Sequence, residues 1–204
     1  MIAIVDYGVG NLFSLRSSFA AIGTEITVTA DPAVIRSAER IVLPGVGAFG
    51  DAAQKLRATG LDQVLLEQAA AGKPLLGICL GMQLLFTESL EYGRHKGLDL
   101  IPGIVRPIGD VIPAGLKIPH MGWNALQFTG DHPLFRYIRE GDPVYFVHSF
   151  FASDCGADTI AVAEYGAPLT AAVARGNVMG CQFHPEKSGE VGLNILRAFR
   201  EMEG

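Results

Sequence analysis

Cysteine and tryptophan are the scarce residues here, three of the first and one of the second in 204 positions. Cys79, Cys155 and Cys181 are odd in number and fit neither a disulfide framework nor a zinc-ligand spacing. A reducing, cytoplasmic setting is therefore expected. Clustered positive charge is missing too. The sixteen Lys and Arg are scattered and the formal net charge is -5, which argues against a nucleic-acid or membrane partner. The longest apolar run is broken by Gln83 and is too short to span a bilayer. The opening MIAIVDYG has no basic stretch and meets Asp6 at once, unlike a signal peptide. No G-x-x-x-x-G-K-S/T loop occurs, and in DYGVGNLF the third glycine of a dinucleotide fingerprint is replaced by Phe13. Nothing here calls for a cofactor or a metal.

What is present is apolar substance, 49% of the chain, without linker, repeat or low-complexity segment. Residues 1–204 read as one domain, and a domain of that size buries roughly 70% of its unfolded surface. Short apolar runs alternate with helical patterns. Ile2 to Val5, Glu25 to Thr29, Ile41 to Leu43 and Leu75 to Ile78 read as strands. A helix capped by Asn11 runs over Leu12, Leu15, Phe19 and Ile22, and another spans Leu61 to Ala71. This alternation predicts an α/β fold, an open and mostly parallel sheet flanked by helices. From Leu98 to Phe128 the prolines and short β-prone pieces predict antiparallel additions on an edge. Strands return at Val144 to Val147, Ile160 to Ala163, Thr170 to Val173 and Val178 to Phe183, before a last amphipathic helix from Val191 to Phe199.

One string carries chemistry openly. Gly77-Ile78-Cys79-Leu80-Gly81 follows an apolar strand and precedes Leu80, Leu84 and Leu85 at helical spacing. That is the pattern of a nucleophile elbow, a sharp strand-to-helix turn that exposes its central residue. A helix starting beneath Cys79 would favour its thiolate. The partner base is expected at His184 in CQFHPEKS, where an apolar strand ends, with Glu186 able to orient the imidazole. The glycine-rich PGVGAFG, Pro44 to Gly50, follows the third strand and could aim a backbone N–H at an oxyanion, with the Leu80 N–H as second donor. His95 and His132 read as solvated. His120 and His148, among aromatic neighbours, read as structural or as lining the site. Cys155 and Cys181 have no elbow and read as inert.

With Cys79, His184 and Glu186 in view, the chain resembles the class I glutamine amidotransferases, whose fold is flavodoxin-like. Within that class it is most similar to the glutaminase subunits of imidazole glycerol phosphate synthases, through DYGVGN, LPGVGAFG, GICLGMQLLF, PHMGWN, YFVHSF and QFHPEKSG. The resemblance implies attack by Cys79 on the side-chain amide of glutamine, with His184 and Glu186 completing a triad. It implies that Val46, Gly47 and Leu80 form the oxyanion site, with the peptide at Val46 reorienting. Gly47 and Gln83, with backbone near Ser149 and Phe150, would hold the substrate. Asn11, Pro119, Trp123 and Lys187 would face a cyclase subunit, a (β/α)₈ barrel, in a heterodimer. That partner would use the ammonia to make imidazole glycerol phosphate and aminoimidazole carboxamide ribotide in histidine biosynthesis. The rival readings are a glutaminase subunit serving pyridoxal phosphate synthesis, a cysteine hydrolase with the same elbow, and a flavodoxin-like binding module.

Overall fold

A computed structural model describes residues 1–202. The first half of the chain runs β1 (Ile2–Val5), α1 (Leu12–Ala21), β2 (Ile26–Thr29), α2 (Pro32–Ser37), β3 (Arg40–Gly45), α3 (Phe49–Ala58), α4 (Leu61–Ala70) and β4 (Leu75–Cys79). β1 and β4 are apolar and buried at every position, as strands covered on both faces must be. Asn11 stands at the start of α1, but its side chain makes no capping hydrogen bond, contrary to expectation. Asp31 does cap α2, accepting from the Ala33 N–H, with Pro32 in the first turn. Neither α2 nor α3 is foreseen from the sequence. α2 has only six residues, and the buried face of α3 (Phe49, Ala52, Ala53, Leu56) is half alanine. Alanine gives a weak apolar signal even at perfect helical spacing.

A single turn of helix, α5 (Leu80–Gln83), follows β4, then β5 (Phe86–Ser89), β6 (His95–Lys96), β7 (Ile101–Pro107), β8 (His120–Ala125) and β9 (Gln127–Phe128). The chain continues through β10 (Pro143–His148), β11 (Phe150–Ser153), β12 (Thr159–Glu164), β13 (Pro168–Arg175), β14 (Val178–Cys181) and α6 (Gly189–Glu201). The main sheet has eight strands in the order β2-β1-β3-β4-β14-β13-β12-β9. Its first five strands are parallel, and β13, β12 and β9 extend it antiparallel. The Leu98 to Phe128 region departs from simple edge hairpins. β7 lies parallel to β5 and antiparallel to β11, while β8 pairs with β10, so this segment finds its partners far along the chain.

Apolar clusters fill both faces of the main sheet. Ile35, Phe49, Leu56, Leu61 and Leu65 from α2, α3 and α4 pack on one face. Leu15 and Phe19 of α1 pack on the other with Ile195, Leu196 and Phe199 of α6. Each large side chain buried in this way stabilises the fold by about 1.5–3 kcal/mol. Among the described residues no helix is long and apolar enough to cross a membrane.

The consequence for function is positional. β3, β4 and β14 are adjacent and parallel, with Gly45 beside Cys79 and Cys181 beside Ile78. Their carboxyl ends therefore deliver three separate sequence strings to one spot, where sites form in open α/β sheets.

Candidate active site

The elbow at the end of β4 is built by close contact. A Cβ on Gly81 would lie 1.8 Å from the Leu43 carbonyl oxygen, and one on Gly77 would lie 2.7 Å from the Gly81 carbonyl oxygen. Only glycine at both positions lets the chain turn back over its own strand and against β3. Cys79 at the apex has φ 55° and ψ -112°, a strained backbone that costs on the order of 1–3 kcal/mol for a non-glycine residue. The helix expected beneath it is only the four residues of α5, before the chain enters β5. One turn aligns few peptide dipoles, so the expected macrodipole is slight.

Charge pairing takes its place. His184 follows β14, and its Nδ1–H donates to Glu186 Oε1 at 2.8 Å, in a pair whose side chains are 3% and 1% exposed. Pro185 turns the backbone into a short 3₁₀ turn (Pro185–Lys187), which brings Glu186 round to the imidazole. Ser188 locks that turn, its Oγ donating to the His184 carbonyl and accepting from the Tyr145 N–H. Burial alone would lower the His184 pKa. Hydrogen bonds and charge from Cys79 and Glu186 outweigh burial and raise it to about 9. At neutral pH the site can therefore hold an imidazolium beside the Cys79 sulfur.

Cys79, His184, Val46, Gly47, Leu80 and Gln83 all line one cavity of about 370 Å³, sized for a small ligand. Ser149, Phe150, Pro119 and Lys187 line it as well. Gly47 has φ 96° and so gives the loop after β3 a turn closed to most side chains, before α3 begins. Gln83 donates to the Phe150 carbonyl at 3.1 Å and to Gln182 Oε1 at 2.9 Å. With both amide protons used, its Oε1 is the end available to a ligand. Asn11 and Trp123 do not line the cavity. Trp123 is 57% exposed on β8, next to exposed Met121 and close to the exposed Ile118.

Four lining residues went unsuspected or underrated. Glu91 and Tyr92 sit on the cavity wall in a turn after β5, and Glu91 accepts from the Phe49 N–H at 2.6 Å. No motif marks that turn. Val147 and His148 also line the cavity, from β10. His148 faces His120 across the β8–β10 pair. A carbonyl oxygen only accepts, so His148 Nδ1–H must donate to the Phe150 carbonyl, 2.8 Å away. His148 Nε2 then accepts from His120 Nδ1–H at 2.9 Å, and His120 Nε2 accepts from Asn124 at 3.2 Å. Both rings are neutral in this chain. Burial pushes His148 down to about 4 and lowers His120 as well. His132 is half-buried rather than solvated, and its Nδ1 accepts from the Leu134 N–H. His95 is half-buried too, with its ring against Gly50. Cys155 and Cys181 are buried, and burial raises both thiols above their ordinary value.

The glutamine amidotransferase class-I family profile matches residues 3–201. The chain belongs to this family. It is 50% identical to the imidazole glycerol phosphate synthase subunit HisH of Syntrophotalea carbinolica, over 99% of this chain and 100% of that relative. It is 49% identical to the subunit HisH of Methanothermobacter thermautotrophicus, over 99% and 98%. Solved structures agree on the fold. One glutamine amidotransferase superposes with a TM-score of 0.75 at 18% identity, covering 98% of this chain and all of the other. The PurLQS structure from Thermotoga maritima gives 0.74 at 19% identity, covering 98% and 96%. As a class-I glutamine amidotransferase, the chain has the sheet expected of it, and its conspicuous cysteine stands at the strand end where a nucleophile is useful.

Proposed function

We propose that this amidotransferase is the glutaminase subunit of an imidazole glycerol phosphate synthase, with residues 1–204 working as a single domain in the cytoplasm. The observation that carries the reading is the meeting of Cys79 with the His184–Glu186 pair on a small cavity beside a glycine-rich loop. Sγ of Cys79 attacks the side-chain amide carbon of glutamine, and the carbonyl becomes an oxyanion. N–H groups of Leu80 and of the Val46–Gly47 peptide are the intended donors to that oxyanion. The His184 imidazolium gives its proton to the departing nitrogen, and ammonia leaves a glutamyl thioester. His184, now neutral, takes a proton from water as the water oxygen attacks the thioester. Collapse releases glutamate and restores the ion pair. Glu186 holds the ring in one tautomer throughout.

Gly47, Gln83 and the backbone at Ser149 and Phe150 would hold the glutamine, and the Glu91 carboxylate gives the wall a charge suited to its ammonium group. Ammonia released into neutral water would be protonated and lost as a nucleophile. Pro119 and Lys187 line the cavity, and exposed Ile118, Met121 and Trp123 offer apolar contact close to Pro119. This is where the cyclase barrel would dock in a heterodimer, with Asn11 contributing at its edge. The test is glutamate release by the chain alone, then with a cyclase barrel and its nucleotide ligand. Strong stimulation that vanishes in Cys79→Ala supports the reading. No glutamate under either condition rejects it.

A further inference from the structure

Gln182 is fully buried and has no part in the mechanism above. The β4–β14 register explains its location: Cys181 lies beside Ile78, so the next residue arrives beside Cys79. Its Nε2 donates to the Cys79 sulfur at 3.7 Å, while its Oε1 accepts from Gln83 at 2.9 Å. The second bond fixes the first. Gln83 presents an NH₂ group to Gln182, so the Gln182 amide must turn its oxygen that way and its own NH₂ toward the sulfur. Gln83 is held in turn by the Phe150 carbonyl. An ionised sulfur gains from a directed donor, and a carboxamide supplies one without adding charge to a buried site.

We propose that Gln182 is a further catalytic residue, a neutral donor that stabilises the Cys79 thiolate and is itself aimed by Gln83. The part about sulfur stands without the substrate; the link to glutamine turnover rests on the glutaminase reading. Around the sulfur the titratable neighbours are His184, with Glu186 behind it, Tyr7 and Cys181. Burial holds Tyr7 and Cys181 in their neutral forms, so neither supplies charge. His184 supplies the positive charge, and Gln182 supplies direction from a second side. Because Gln83 also lines the cavity, a bound ligand that grips Gln83 steadies the donor on the nucleophile.

The test follows iodoacetamide alkylation of Cys79 in the full chain across pH, read by mass spectrometry of the Cys79 peptide. No glutamine is present. In Gln182→Met, which keeps the shape and removes the donor, the rising limb of the profile moves up by about one pH unit, or about tenfold in rate on that limb. Gln182→Glu, which sets a carboxylate against the sulfur, moves it further the same way. An unchanged limb in either variant overturns the proposal. Should both variants melt early, the side-chain amide resonance of Gln182 in the native chain gives the answer. It shifts as the sulfur titrates if the bond exists, and stays fixed if it does not. Glutamate release by the unaltered chain is measured separately. A shifted limb with no glutamate release leaves the sulfur chemistry intact and removes the glutaminase reading alone.

Discussion

His184 and His148 are both buried, both stand at strand ends and both face the same cavity, yet they are driven to opposite charge states. His184 meets a carboxylate and the Cys79 sulfur and is raised to about 9. His148 meets a carbonyl and a second imidazole, and burial, opposed only by the carbonyl, takes it down to about 4. Burial by itself does not decide the protonation of a histidine. The partner does, because a nearby anion can repay the desolvation of a cation and a neutral ring cannot. One face of the cavity is thereby equipped to move protons, and the other to hold a backbone carbonyl still.

The comparison breaks most visibly if His184 is given the neutral company that His148 keeps. Glu186→Gln should lower glutamate turnover by about 10³–10⁴-fold, since the ring loses both its charge partner and its fixed tautomer. Steady-state assays of the complex would measure it, and a loss under tenfold would remove Glu186 from the triad. Cys79→Ala removes the other partner that raises His184. The His184 titration, followed by NMR, should then fall from about 9 toward the ordinary histidine value, while that of His148 stays near 4.

Stability should carry both signatures with opposite signs. His148 binds its proton more weakly folded than unfolded, so stability falls as pH drops from about 6.5 to about 4, by about 3 kcal/mol at most. His184 binds its proton more tightly folded, so its contribution is complete below about 6.5 and is lost as pH rises through about 9, again by about 3 kcal/mol at most. Denaturant titrations across pH should show a maximum between these limbs, and His148→Gln should flatten the acid limb alone. The smallest effect is expected from the same variant in catalysis. Loss of one donor to the Phe150 carbonyl should raise KM for glutamine by roughly threefold to tenfold with kcat nearly unchanged. A matching fall in kcat would mean that His148 acts on the chemistry itself.

The readable part of the site was the part with local consequences. Cys79 between two glycines, and His184 beside a strand-stopping proline, each distort the chain where they stand, and so each leaves a mark in a short window. Glu91, Tyr92 and Gln182 leave none. Their neighbours are ordinary, and their place on the cavity or the sulfur comes from pairing with segments far away. The same division runs through the fold. β1 and β4 declare themselves by unbroken apolar runs, whereas α3 hides behind alanine, and β7 and β8 pair with β11 and β10 across long intervening stretches of chain.

Composition and pattern alone determined an α/β chain with a parallel sheet, a strained turn around one cysteine, and a histidine and a carboxylate close behind a second strand. Those follow from local rules: periodicity, backbone freedom and the reach of adjacent side chains. Tertiary structure decided that the two strands would be neighbours in register, that Gln182 would arrive at the sulfur, and that one buried histidine would be charged while another stays neutral. Charge and hydrogen bonding inside a protein depend on what lies within a few ångströms, and distance along the chain does not set distance in space.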